Sequence, residues 1–87
     1  MSDLSKRLSA VIRAERIKRK FRQMDIARSA GMGRAMYCHI ENGGRDITVN
    51  RLGDISEALG VKPATLISRA YKLQFTHNES VAVDVID

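Results

Sequence analysis

A chain of 87 residues with 44% hydrophobic side chains is long enough for one small domain with a compact core, and too short to enclose a large catalytic cleft as well. Its net charge of +5 and pI near 9.9 point to a polyanionic partner. Cys38 is the one cysteine, which excludes an internal disulfide and a cysteine-based metal site and fits a reducing cytosol.

The charge is uneven along the chain. Residues 1–30 carry nine Lys/Arg against three Asp/Glu, residues 31–72 six against four, and residues 73–87 none against three. The two histidines, His39 and His77, are far apart and form no ligand motif, so neither metal nor cofactor is expected. No apolar run reaches membrane-spanning length, and Met1–Lys6 lacks the apolar core of a signal peptide. The expected compartment is the cytoplasm, with no membrane partner.

In chain order, Leu4, Leu8, Val11 and Ile12 recur at helical spacing, with Asp3 or Ser5 as cap. Continuing that stripe by fours reaches Arg16, a charge that needs a partner. A short helix is predicted over Gln23–Ala30, with Ile26, Ala27 and Ala30 inward, and Gly31 ends it. A third helix runs from Arg34 to Asn42. Tyr37 and Ile40 form its apolar face, Glu41 lies beside them, and Asn42-Gly43-Gly44 breaks it. Thr48 caps a fourth helix with the stripe Leu52, Ile55 and Leu59, stopped by Gly60. Pro63 opens a fifth, with Leu66, Ile67, Ala70 and Tyr71 inward. Met24, Met32 and Met36 read as packing residues. Ser80–Ile86 is rich in β-branched residues and reads as a strand. The expected architecture is all-α: a five-helix domain over 1–73 and a tail over 74–87 that carries the strand.

Two short helices joined by a tight glycine turn form a helix-turn-helix unit. Such a unit needs a small residue where the helices cross (Ala27), a glycine in the turn (Gly31) and apolar locking residues (Ile26, Ala30, Met32, Tyr37, Ile40). It also needs a polar outer face on the second helix, which Arg34, Cys38 and His39 supply. On the residues Arg16, Gln23-Met24-Asp25-Ile26-Ala27, Gly31, Ile40-Glu41-Asn42-Gly43, Leu52, Ile55, Ala58-Leu59-Gly60-Val61 and Leu66-Ile67, the stretch Ile12–Ile67 resembles the Cro/lambda-repressor family of helix-turn-helix domains. The resemblance implies a compact lambda-repressor-like fold that places its second helix in the major groove of duplex DNA. It implies base readout by Arg34, Ala35, Cys38 and His39. It places Gln23, Asn42, Gly44 and Arg45 at phosphates and joins Arg16 to Glu41 in a buried ion pair. Lys20 stands where the family has glycine, and Arg22 and Gly33 where it has Ser or Thr caps. Lys20 and Arg22 add positive charge beside the phosphates.

Several residues keep a second reading. Arg34 is suited to the two acceptors of guanine, with a phosphate as the alternative. His39 reaches a base edge or a phosphate, or is simply exposed. Cys38 meets a thymine methyl or packs half-buried on its helix. No catalytic constellation is present, so the chain is not expected to be an enzyme. A phage or bacterial repressor of Cro type, an antitoxin and a restriction-modification controller all fit this size and fold. The tail is expected to pair two chains as a homodimer; a disordered tail and a tail that docks on a protein partner such as a toxin are the alternatives.

Overall fold

The computed structural model describes residues 3–73. Five helices follow in order: α1 (Asp3–Lys18), α2 (Gln23–Ser29), α3 (Arg34–Glu41), α4 (Val49–Leu59) and α5 (Pro63–Lys72). No strand occurs among the described residues. The expected C-terminal strand and the whole 74–87 tail lie outside them.

Local chemistry fixes where the helices start. The Thr48 hydroxyl accepts the Arg51 N–H at 3.1 Å and caps α4. Pro63 occupies the first turn of α5, where its missing N–H costs nothing. The first four helices all end on one hydrogen-bond motif. A residue with positive φ donates its N–H three residues back, and the residue after it donates five back. Gly31, Gly43 and Gly60 hold the positive-φ position after α2, α3 and α4. After α1 that position is Lys20, at φ 63, with Lys20 N–H on Ile17 O and Phe21 N–H on Arg16 O. A Cβ in this conformation is strained, so α1 ends at a cost that the other three helices avoid.

The core takes Leu8, Val11 and Ile12 from α1, Ile26 and Ala27 from α2, Tyr37 and Ile40 from α3, Leu52, Ile55 and Leu59 from α4, and Leu66 and Ala70 from α5. α1 packs on α5 and α3, while α2 lies against α3 and α4. Two sequence expectations are corrected. Tyr71 is 66% exposed rather than inward, because α5 buries Leu66 and Ala70 and the chain then buries Leu73. On that stripe Tyr71 falls about 140° away from Leu66. Met24 is 42% exposed rather than packed, whereas Met32 and Met36 do lie against the core.

Among the described residues two carboxylates are buried, and each is surrounded by donors. Glu41, at the end of α3, accepts from Arg16 Nε at 2.8 Å and Arg16 Nη2 at 2.9 Å. It also accepts from the Tyr37 hydroxyl at 2.6 Å and from Gln23 Nε2 at 3.0 Å. The third guanidinium nitrogen of Arg16 donates to Phe21 O at 2.9 Å, just past the strained turn. Burial alone would push the Glu41 carboxyl up, but the hydrogen bonds from Arg16, Tyr37 and Gln23 outweigh it and hold it below the ordinary range. Burial, and then the bond to Glu41, pushes the Tyr37 phenol well up. The second carboxylate, Glu15, accepts from Arg19 Nε at 3.0 Å and from Arg69 of α5.

Two outcomes follow from these contacts. Lys20→Gly releases the strained turn and raises stability by about 1 kcal/mol, measured by urea denaturation; an unchanged or lower midpoint would contradict the strain. Glu41→Ala leaves the Arg16 charge without its partner and lowers stability by about 3–5 kcal/mol. In the wild type, a carboxyl held low in the folded state contributes stability above the ordinary glutamate value, and that contribution is lost as pH falls through the folded value. The raised phenol of Tyr37 contributes below its ordinary value near 10, and that contribution is lost as pH rises past it. Melting curves of wild type and Glu41→Ala should therefore converge at acid pH. A constant gap between pH 7 and pH 3 would contradict an ionised Glu41.

Candidate nucleic-acid interface

α3 has one face locked and one face open. Tyr37, Ile40 and Glu41 are buried, while Arg34, Ala35 and His39 are exposed and Cys38 is half-buried. Gly33 caps α3 in extended conformation (φ −71°, ψ 154°) with no side-chain bond, so the first turn carries no hydroxyl cap.

At the N-terminal end of α3, a shallow depression is lined by Arg16, Arg22, Gln23, Met24 and Arg34. It gathers onto one surface three residues that the sequence placed at DNA. Arg34 makes no hydrogen bond or ion pair among the described residues, which leaves its guanidinium available to a ligand. The Arg22 backbone N–H donates to Asp25 Oδ2 at 2.9 Å, and its Nε lies 3.5 Å from the same oxygen. That backbone hydrogen bond comes first in holding the Asp25 carboxyl below its ordinary value. Lys20 projects from the preceding turn as an exposed cation.

Gln23 and Cys38 contact each other. Gln23 Nε2 donates to Glu41, and the Cys38 thiol donates to Gln23 Oε1 at 2.9 Å. The Gln23 side chain thus bridges α2 and α3. Its second amide hydrogen and its backbone N–H remain for a phosphate. The Gln23 bridge was not visible in the sequence, where helical spacing marks inward faces and not polar partners on other helices, whereas the Tyr37 bond to Glu41 joins two residues that already stood one turn apart on the same helix.

At the other end, Asn42, Gly44 and Arg45 are exposed on the loop that leaves α3. Gly44 N–H donates back to His39 O at 2.9 Å, which closes the helix and sets the direction of the loop. The α1 side chains hold the end of α3 and this loop from behind: Ser9 Oγ donates to Ile40 O at 2.7 Å, and Ser5 Oγ accepts the Ile47 N–H at 3.2 Å. Sequence reading also missed two cations here. Lys6 and Arg13 line a groove beside Asn42 and Gly43, and Arg13 Nε lies 4.0 Å from Glu41 Oε1. Their separation of seven residues, two helical turns, was the available signal.

The arrangement is an open helix face with cations and loop amides at both ends, a geometry suited to a phosphate-lined groove. Among the described residues no cluster of His, Cys, Asp or Glu could hold a metal ion, and no helix is long and apolar enough to cross a membrane.

Comparison with known proteins bears on the same elements. A helix-turn-helix family model matches residues 12–66. The structure of the clp gene regulator ClgR from C. glutamicum superposes with a TM-score of 0.77 at 19% identity, covering 84% of this chain and 96% of that one. A single-residue mutant of the restriction-modification controller protein C.Esp1396I superposes with a TM-score of 0.77 at 27% identity, covering 90% of this chain and 100% of that one. No curated protein sequence matches. With five helices among the described residues, the locked inner face of α3 and a family model that covers more than half of its length, the chain belongs to the helix-turn-helix family and has the fold of a DNA-binding transcription regulator.

Proposed function

We propose that the protein is a sequence-specific regulator of transcription that binds duplex DNA as a homodimer, with α3 in the major groove, and that it has no enzymatic activity. The observation that carries this reading is the outer face of α3. Arg34, Ala35, Cys38 and His39 lie along it, the inner face is fixed by Glu41, and Lys20, Arg22 and Gln23 at one end and Asn42, Gly44 and Arg45 at the other flank it. Arg34 reads a base pair, and the flanking groups grip phosphate. A two-fold pair of such units sets its α3 helices about 34 Å apart, one turn of the duplex, and reads a near-palindromic site. The 74–87 tail is our assignment for the pairing element, and the cytoplasm is the compartment.

The likeness to a restriction-modification controller over that protein's full length supports a controller role within this class. A methyltransferase gene beside the coding gene would favour it. A toxin gene there would favour an antitoxin, and divergent phage promoters a repressor.

Binding to the chain's own upstream region should show two chains per duplex. If about six phosphates are neutralised, the log–log slope of affinity against salt lies near −5. Affinity that does not vary with salt, or one chain per duplex, would contradict the reading. Arg34→Ala should cost about 1–3 kcal/mol on the specific site and abolish preference at one base pair per half-site, while Arg45→Ala weakens all duplexes alike. Competition assays with specific and random duplexes separate the two. Equal losses on both duplexes for Arg34→Ala would move that residue from base to phosphate.

A further inference from the structure

Four helices share one end motif, and the end of α3 departs from it in one respect. The residue after the positive-φ position is apolar at the other three ends: Phe21, Met32 and Val61. At the end of α3 it is Gly44. The space where its side chain would stand is filled by His39, whose Cδ2 and Nε2 lie against the point a Cβ would occupy. No side chain fits at position 44 while the imidazole holds that place. The backbone does not require a glycine there, since the positive φ of this turn belongs to Gly43.

We infer that Gly44 is a specificity-determining position that acts through His39. By leaving its side-chain space empty, it seats the imidazole over the loop backbone and fixes the direction His39 faces at the end of the recognition helix. Gly44 is thus a positioning residue for His39 in addition to any phosphate contact by its own backbone. With any larger residue at position 44 the ring must swing off the loop and present a different edge. This inference rests on the DNA-binding reading above for its consequence, and on the free protein alone for its geometry.

The test has two arms. In the free protein, nuclear Overhauser contacts should join the His39 ring protons to the Gly44 α protons, and Gly44→Ala should shift the imidazole resonances while the melting curve stays in place. Absence of those contacts in the wild type overturns the seat. In the second arm, the wild type, Gly44→Ala, His39→Ala and the double variant each select from a duplex library with a randomised centre. Gly44→Ala should change base preference about fivefold at the position that His39→Ala changes, and the double variant should match His39→Ala alone. Gly53→Ala, a glycine with open space around it, should leave the preference as it is. Additive effects, or a preference unchanged in Gly44→Ala, overturn the inference while the DNA-binding reading stands. A wild type that enriches no sequence overturns that reading and the specificity consequence together, and the Overhauser arm then decides the seat.

Discussion

A carboxylate buried at the end of α3, that of Glu41, obliges three helices to bring donors to one point. It sits at the end of α3 with its side chain fully buried, and it is met by groups from three helices: Arg16 of α1, Gln23 of α2 and Tyr37 of α3 itself. An isolated buried carboxylate is costly, so these donors are needed for the fold to tolerate the charge. Together they fix α3 relative to α1 and α2 through directional contacts, which apolar packing alone specifies less sharply. Arg16 extends the network to Phe21 O and so steadies the turn that leads into α2. Gln23 extends it to Cys38 on the half-open side of α3. The outer face of α3 is therefore set from inside.

Around this node the chain is economical in its endings. One hydrogen-bond motif terminates four helices, and small sequence differences at the motif give each end a different property. Lys20 accepts strain and puts a cation beside the start of α2. Gly43 followed by Gly44 leaves the end of α3 without an apolar lock and lets His39 lie over the loop. The α1–α5 contact carries the second buried carboxylate, Glu15, with Arg19 and Arg69 around it. This contact ties α5 to α1 without touching the α3 surface, so the two charged nodes divide the work: one holds the body together and the other orients α3.

Much of this was legible from residue order. Gly31, Gly43, Gly60 and Thr48 marked helix ends within a residue or two, because they answer to local backbone chemistry, whereas the end of α1 at Lys20 carried no such mark. Arg16 and Glu41 stood out because each fell on the apolar face of its own helix, where a single charge is not tolerated; in the structure they meet at 2.8 Å. The polar couplings were not legible. Gln23 with Cys38 and Glu15 with Arg69 join residues 15 and 54 positions apart, and helical periodicity says which side is inward but not which neighbour waits there. Tyr71 was misplaced for a related reason. An aromatic next to Ala70 looks like part of the inward stripe until Leu73, just past α5, takes that place.

Held by its three partners, Glu41 should be an ionised carboxylate in the folded protein. A carbon-13 nuclear magnetic resonance titration of the Glu41 side-chain carboxyl in the folded protein measures this. The midpoint should fall clearly below the ordinary glutamate value of about 4.3. A midpoint at or above that value would mean that burial outweighs the hydrogen bonds, and it would contradict the claim that this charge orients α3.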